Sequence, residues 1–331
     1  MREASCPPHV SFCNPGRARN SCRGRSGRAG GEVRVGRKGE IYTTTLIQSI
    51  VNGLMMGGVY ALIAVGLTLI FGVMNVVNFA HGEFVMLGMV LTYLLHHYLG
   101  WDPGLSILLV IPIMLGVGAL IQKTLISSVI GQADEAQILL TLGLSVLLTN
   151  AVLLIMGPDY LSVKTPYKLS VVALGPVLFS VPRLIAFFVG LVFSGILWLF
   201  LNRTNLGKAL RAVAEKPEVA TIMGINPKKM HWLAFGIGIS LAAGAGSVLT
   251  PFFYTFPSVG GMFVLIAFVV VVLGGMGNIP GAILGALVIG ITESLTAQFV
   301  ALDLAMLGVF IIFVLVLVFK PAGILGKGKL Y

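Results

Sequence analysis

The sequence predicts an all-α membrane protein, a polytopic bundle of about eight to ten transmembrane helices. Hydrophobic residues make up 57% of the 331 residues, charged residues only 10%, and the mean hydropathy is +0.98. A soluble domain usually carries about a quarter charged residues. Here the apolar residues also come in long uncharged runs, so a water-soluble enzyme is excluded and the chain from residue 41 to 331 is read as one membrane domain.

The first forty residues differ from the rest of the chain. They hold 9 of the 22 Lys and Arg residues and all three cysteines, Cys6, Cys13 and Cys22. The remaining chain therefore has no thiol for a disulfide, a zinc site or a nucleophile. Because the segment is rich in Gly, Arg and Ser and poor in large apolar residues, it has no means of forming a core.

Two hypotheses account for residues 1–40. One is a disordered basic arm; the other is a start-site artefact, with translation beginning near Ile41 or Leu46. Lys38-Gly39-Glu40 must be encoded as AAR GGN GAR, which can contain a purine-rich ribosome-binding sequence. A signal peptide is excluded because the segment lacks an apolar stretch.

Nine windows of about 20 mostly apolar residues, each long enough to cross a bilayer core of about 30 Å, follow in order. They lie near residues 46–71, 76–99, 104–121, 138–156, 184–202, 231–250, 263–280, 281–298 and 304–319. No Lys, Arg, Asp or Glu occurs from Met230 to Thr292, where the breaks are Pro251, Pro257 and the turn at 277–280.

Small residues repeat at a spacing of four in several spans. Helices in a membrane associate through close packing of small residues, since lipid removes the hydrophobic driving force. We expect tight helix packing at these positions, with flexible hinges of a gate as the alternative. The series are Gly53/Gly57/Ala61, Gly236/Ser240/Gly244 and Gly277/Gly281/Gly285.

The distribution of Lys and Arg predicts the orientation, because cytoplasmic loops carry an excess of them. The loop at 203–230 holds six, and the C-terminal tail holds Lys320, Lys327 and Lys329. Both are therefore expected in the cytoplasm. The loop at 157–183 fits this orientation least well. Counting the spans back from the cytoplasmic loop places it outside, although it carries Lys164, Lys168 and Arg183.

The loop at 203–230 is too long and too patterned to be a simple connection. Two short amphipathic helices are predicted, the second beginning at Pro217 and ending at Gly224. An apolar face rimmed by charge suits either docking into a groove of a soluble partner or lying on the lipid surface. The apolar positions are Leu206, Leu210, Val213 and Ala214, then Val219, Ala220, Ile222 and Met223.

Polar residues interrupt the apolar runs at three places. Asn75, Asn78, His81 and Glu83 precede the second span, and we expect its helix to begin nearer Val76 and to carry these groups into the membrane boundary. They line the inner mouth of a translocation path, lie at a helix break that moves during gating, or cap helices and bond to neighbours. Glu293 lines such a path near the outer face or forms an interhelical hydrogen bond. His96 and His97 are expected to close a helix at the outer boundary.

No catalytic set emerges from the sequence. It has no G-x-x-x-x-G-K-[ST] for nucleotide phosphates, no H-E-x-x-H, and no close Ser/His/Asp arrangement, so we expect neither an enzyme nor a bound metal or cofactor. Energy for transport must come from an ion gradient or from a separate ATPase.

Four motifs resemble those of known permeases. Glu218–Gly224 (EVATIMG) resembles the EAA motif of ABC importer permeases, which forms the helix received by the ATPase subunit, although it departs at Val219 and lacks the later Ile-x-Leu-Pro. Val77–Phe84 (VNFAHGEF), Gly274–Ala282 (GGMGNIPGA) and Lys320–Gly326 (KPAGILG) resemble the branched-chain amino acid permeases. The resemblance covers about residues 46–327.

The resemblance implies the membrane subunit of an ABC importer for branched-chain, hydrophobic amino acids in a bacterial inner membrane. It implies as partners two ATPase subunits that use ATP, a second homologous permease subunit and a solute-binding protein, with no nucleic acid. Coupling to the ATPase falls on Arg211, Glu215, Glu218, Ala220 and Gly224, and the candidate path on Asn78, His81, Glu83 and Glu293. The alternatives are a urea or short-chain amide permease and an ion-coupled secondary transporter.

Overall fold

The computed structural model describes residues 37–326, which form a bundle of long helices with almost no sheet. Each of the nine predicted spans overlaps one long helix, so the all-α prediction is confirmed for the described residues. The long helices are α1 (Arg37–Met74), α2 (His81–Leu99), α3 (Pro103–Thr124), α4 (Asp134–Met156), α5 (Val181–Arg203), α8 (Pro227–Leu249), α9 (Val259–Gly274), α10 (Ile279–Phe299) and α11 (Ala305–Phe319).

Shorter elements lie in two of the connections. The helices α6 (Asn205–Glu215) and α7 (Pro217–Ile222) occupy the loop between α5 and α8, as the sequence predicts. A hairpin that was not predicted precedes α5. Its strands, β1 (Val171–Leu174) and β2 (Val177–Ser180), are antiparallel, with Val171 opposite Ser180.

Among the described residues, seven helices are long and apolar enough to cross a membrane, by length and composition. They are α1, α3, α4, α5, α8, α10 and α11, the last with the turn before it. The apolar helix α9 is shorter, at 16 residues. The 19-residue α2 is not among the seven; it carries Glu83 and three histidines. The chain is a multi-pass membrane protein.

Two predictions concern residues outside the described range. The hypotheses of a disordered arm and of a start-site artefact fall almost entirely on residues before α1. Lys327 and Lys329, used for the orientation, follow the last described residue, Gly326. All these predictions therefore remain as stated.

Glycines bring the helix backbones into contact, as the small-residue pattern predicts. A Cβ added to Gly53 of α1 would lie 2.5 Å from the carbonyl oxygen of Gly290 in α10. A Cβ on Gly238 of α8 would lie 2.6 Å from the carbonyl oxygen of Gly66 in α1. Such approaches leave no room for a side chain, so these contacts fix the spacing of α1, α8 and α10.

The bundle has two ends that differ in charge. One end, here called the basic end, contains α6, α7 and the turn between α9 and α10. The other, the hairpin end, contains the hairpin and the connections from α2 to α3 and from α8 to α9. Of the eleven Lys and Arg residues between positions 42 and 326, eight lie at the basic end. The other three, Lys164, Lys168 and Arg183, lie at the hairpin end. The sequence placed their loop, at 157–183, on the side opposite to the other basic loops.

Hydrogen bonds tie the connections at the hairpin end to one another. The Gln48 amide of α1 donates to the Leu178 carbonyl at 2.7 Å and accepts from the Leu178 N–H at 2.8 Å, as a neighbouring strand would. The Tyr167 hydroxyl donates to Asp102 at 2.8 Å. Burial and then this hydrogen bond raise the pKa of Tyr167 well above its usual value. The loop at 157–180 is therefore a fixed part of this end.

Candidate functional site

The second long helix begins inside the bundle, which corrects the expected start near Val76. Asn75 adopts a positive φ of 52° and ends α1, and α2 begins only at His81. The His81 Nε2 lies 3.0 Å from the carbonyl oxygen of Ile63, eleven residues before the end of α1. At 1.5 Å per residue this is about 16 Å back along α1. The polar groups thus lie deep in the bundle and not at its boundary.

The segment at 75–80, which links α1 to α2, is ordered by its own polar groups. The Asn78 side chain is fully buried, and its Oδ1 accepts from the Ala80 N–H at 3.1 Å. The Thr141 hydroxyl of α4 donates to the Val77 carbonyl at 3.3 Å. An Asn that bonds the backbone two residues on forms a local turn, so this turn positions the start of α2.

Glu83 lies in the first turn of α2 and is only 4% exposed. Its Oε1 accepts from the Ser145 hydroxyl of α4 at 3.2 Å. Its carboxyl group also covers Gly260, in the first turn of α9, and a Cβ there would lie 2.6 Å from the Glu83 Cδ. Gly82 and Gly260 meet backbone to backbone, so the N-terminal ends of α2 and α9 cross at Glu83.

Three buried atoms at this crossing have no hydrogen-bond partner among the described residues: Asn78 Nδ2, His81 Nδ1 and Glu83 Oε2. An unpaired buried polar group costs about 1–3 kcal/mol. Ionisable groups inside a membrane tend to face protein or a water-filled path. The structure thus brings together three of the four residues predicted for the path, at the start of α2.

Replacing Gly260 by alanine is expected to lower the thermal unfolding midpoint by several degrees. The new methyl group meets the Glu83 carboxyl and lies 2.9 Å from the Glu83 Cα, so α2 and α9 must separate. Thermal unfolding of the purified protein measures the effect. Gly261→Ala is the matched control because no atom lies within 4 Å of the added Cβ. Equal midpoints for the two variants would contradict the close crossing.

Glu293, the fourth predicted residue, lies on α10 and away from this crossing. Its carboxyl group lies beside the buried Tyr60 hydroxyl of α1. One residue on, the Ser294 hydroxyl donates to the Ser49 carbonyl at 2.7 Å. Of the two predictions for Glu293, a residue lining a path or an interhelical hydrogen bond, this geometry favours the hydrogen bond.

His96 and His97 lie in the last turn of α2, at the hairpin end. A ring nitrogen of His96 lies 2.8 Å from the Trp101 carbonyl oxygen, and the His97 ring stacks on Tyr93 with the centroids 5.8 Å apart. Both contacts are local to this end. They agree with the prediction that His96 and His97 close a helix.

The helices α6 and α7 pack on the bundle through a few apolar side chains. The Thr204 hydroxyl caps α6 by accepting from the Gly207 N–H at 3.0 Å. Leu210 and Val213 are buried, as is Ala220 of α7, at 3% exposure. These residues hold the two helices against the rest of the chain.

The end of α7 is closed by Gly224. Gly224 has a φ of +82°, and its N–H bonds the Thr221 carbonyl while the Ile225 N–H bonds the Ala220 carbonyl. This pair of bonds is the Schellman motif, which requires a left-handed residue and therefore favours glycine. Gly224 was predicted as a coupling residue, and its local role is to end the helix.

The outward surface of α6 and α7 carries both charge and exposed apolar side chains. Glu215 and Glu218 are exposed, and the Arg211 guanidinium donates to Asn202 Oδ1 at 3.0 Å. Ile222 and Met223 are 84% and 77% exposed. The sequence pattern grouped these two with Ala220 on one apolar face, but the structure places Ala220 inward and these two outward. In the sequence, this surface was indicated by the apolar residues Ile222 and Met223 in a loop rich in charged residues.

Two of the motifs meet at the basic end. The Ile324 N–H bonds the Leu273 carbonyl at 2.8 Å, and the Asn278 side-chain amide donates to the Leu325 carbonyl at 2.7 Å. A Cβ on Gly323, whose φ is +84°, would lie 2.5 Å from the Gly275 nitrogen. The motifs at 274–282 and 320–326 therefore form one structure, which closes the turn between α9 and α10.

Comparison with known proteins points to one family. A family model described as "branched-chain amino acid transport system / permease component" matches residues 49–319. The chain is 32% identical over 302 residues to the high-affinity branched-chain amino acid transport system permease protein BraD of Pseudomonas aeruginosa, which covers 85% of this chain and 96% of that protein. No solved structure matches the chain.

Two permease proteins of one bacterium match to different extents. LivH of Escherichia coli K12, a permease protein of its high-affinity branched-chain amino acid transport system, is 31% identical over 294 residues, with the same shares of 85% and 96%. LivM, a permease protein of the same system, is 31% identical over 132 residues, or 38% of this chain and 29% of LivM.

Proposed function

Because the chain belongs to the branched-chain amino acid transport permease family, we propose that it is the membrane-spanning subunit of an ABC importer for branched-chain amino acids. The names of BraD and LivH support this substrate class. The chain itself supplies the path through the bilayer, and separate subunits bind and hydrolyse ATP.

The single observation that carries the energy coupling is the exposed apolar surface on α7. Ile222 and Met223 project from a basic loop without packing on the bundle, while Leu210, Val213 and Ala220 fix α6 and α7 to it. An apolar face rimmed by charge, on rigidly attached helices, suits a groove on a soluble partner. We assign that partner as the ATPase subunit, with one copy for each permease subunit.

The remaining partners follow from the kind of system. A partial match to LivM, alongside the longer match to LivH, supports a second, homologous permease subunit. A solute-binding protein delivers the substrate to the hairpin end. The permease need bind substrate only weakly, since transport depends on the difference in affinity between its states.

The orientation follows from the charge of the two ends. Eight of the eleven Lys and Arg residues in the described membrane domain lie at the basic end, and cytoplasmic loops carry such an excess. We therefore place α6, α7 and the C-terminal segment in the cytoplasm, and the hairpin outside the inner membrane.

Movement reaches the path through direct contacts. When the ATPase pair closes on ATP, it moves α6 and α7, and α6 is packed against the end of α5. A shift of α5 reaches α1, because Gly58 of α1 and Gly190 of α5 are in backbone contact. The start of α2, bonded to α1 through His81, then moves with it.

Deleting the gene in the source organism is expected to abolish high-affinity uptake of radiolabelled leucine and to leave urea uptake unchanged. Restoring the gene should restore leucine uptake. Leucine uptake that persists in the deletion strain, together with a loss of urea uptake, would overturn the assigned substrate. Abolishing the sodium and proton gradients while ATP is maintained distinguishes the energy source, since an importer of this class keeps its uptake.

A further inference from the structure

A cavity of about 560 Å³ lies at the basic end, beneath α6. Its walls come from the last turns of α1 and α5, from α6, and from the turn before α10. It is separate from the crossing of α2 and α9 described above. Pockets for small molecules usually measure about 300–1,000 Å³, so this one has room for a molecule of the size of an amino acid.

The walls of the cavity divide into an apolar part and a polar part. Leu69, Val73, Leu201 and Leu210 line the apolar part, and all four are buried in the bundle. Within the described range 37–326, Arg211 is the one charged residue that lines it, and no carboxylate does. A ligand therefore meets an apolar surface and one positive charge.

The guanidinium group is held in place for such a ligand. Arg211 Nη1 donates to Asn202 Oδ1 at 3.0 Å, which fixes its position at the edge of the cavity. Its remaining N–H groups suit a carboxylate, which arginine binds with two parallel hydrogen bonds. The Thr68 hydroxyl, 1% exposed, also lines the cavity and has no hydrogen-bond partner among the described residues.

The geometry points to a cytoplasmic binding site for a small carboxylate with a branched apolar body, of the class of leucine and its oxo acid. The carboxylate binds Arg211, and the apolar body lies against Leu69, Val73 and Leu210. The site is separate from the crossing of α2 and α9, and it joins α6 to α1 and to the turn before α10.

A ligand in this position slows transport. It contacts elements that must move relative to one another when the ATPase pair closes, so it stabilises the arrangement in which they enclose the cavity. Accumulated substrate or its breakdown product would thereby lower further uptake. This effect on transport rests on the proposed function, whereas the binding itself does not.

Trp198 lines the cavity and reports binding directly. Titration of the purified full chain in neutral-lipid nanodiscs with leucine, followed by tryptophan fluorescence, is expected to give a saturable change. The carboxylate 4-methylpentanoate should give the same change, and isopentylamine, which has the apolar body without the carboxylate, should give none. Trp198→Phe should remove the signal. A response to isopentylamine, or no response to either carboxylate, would overturn the site.

Variants test the two parts of the cavity separately. Arg211→Gln is expected to raise the Kd at least tenfold, whereas Lys208→Gln, an exposed basic residue of α6 outside the cavity, should leave it unchanged. Val73→Phe fills the apolar part and should abolish the response even where Arg211 is intact. An equal Kd in all three variants would overturn the site, as would a Trp198 signal that changes only when the nanodisc contains an anionic lipid.

Transport separates this inference from the proposed function. In proteoliposomes of the assembled importer, leucine on the α6 side is expected to reduce ATP-driven transport several-fold, and Val73→Phe, which fills the apolar part of the cavity, should relieve the reduction. Binding without an effect on transport would overturn the regulatory role alone. Absence of ATP-driven transport with binding retained would instead count against the proposed function.

Discussion

Replacing Ile222 by aspartate is expected to reduce leucine uptake at least tenfold while the amount of the chain in the membrane stays unchanged. Ile222 is 84% exposed at the end of α7, so we expect its replacement to leave the folding of the chain unchanged. A charge on this surface removes the apolar contact with the ATPase and places an unpaired carboxylate in the interface, which costs several kcal/mol. Uptake of labelled leucine and immunoblotting of membranes measure the two quantities.

The matched control for this variant is Leu125→Asp. Leu125 is also an exposed aliphatic side chain at the basic end, but it lies between α3 and α4 and not on α7. We expect its variant to retain uptake. Crosslinking of a cysteine at position 222 to the ATPase gives a second readout. Normal uptake by Ile222→Asp would show that α7 is not the coupling surface.

Replacing Gly53 by leucine is expected to prevent stable folding. A Cβ at this position lies 2.5 Å from the Gly290 carbonyl oxygen and 2.6 Å from the Ile291 Cα, both of them backbone atoms that no rotamer change can move. Overpacking of a well-packed core typically costs about 1–3 kcal/mol and occasionally more, and here the two helix backbones themselves must separate. Thermal unfolding and size-exclusion chromatography of the detergent-purified protein measure the loss.

The control for that variant is Gly143→Leu. Gly143 is an exposed glycine within α4, and no atom lies within 4 Å of an added Cβ. Substitutions at open surface positions usually change stability by less than about 0.5 kcal/mol. If both glycine variants lose stability to the same degree, the loss reflects helix chemistry in the membrane and not the contact between α1 and α10.

Hydropathy predicted the long helices well because lipid demands long apolar segments. It failed at the start of α2, since a window average counts Val76, Val77 and Phe79 as helical although the backbone turns at Asn75 and Asn78. The hairpin was missed although Gly175-Pro176 is a strong turn signal. Its strands are only four residues long, and the hydrogen bonds of Leu178 to Gln48 come from a residue distant in sequence.

The candidate site was predicted only in part, for a related reason. Asn78, His81 and Glu83 are neighbours in sequence and therefore stand out together. The partners that define their setting, such as Gly260 beside Glu83 and Tyr60 beside Glu293, are distant in sequence and lie in apolar runs that show no polar signal. On α7, helical spacing indicated an apolar stripe but not which of its residues faced inward.

The hydrogen bonds of residues 324 and 325 to the turn between α9 and α10 have a consequence for biosynthesis. The carbonyl groups of Leu273 and Gly274 accept hydrogen bonds from the Ile324 and Leu325 N–H groups, which are synthesised about fifty residues later. Until translation passes codon 325, the nascent polypeptide exposes that unfinished corner to membrane quality-control proteases. A premature stop codon that removes only this last described stretch should therefore shorten the cellular half-life of the protein, although every membrane-crossing helix has already been made.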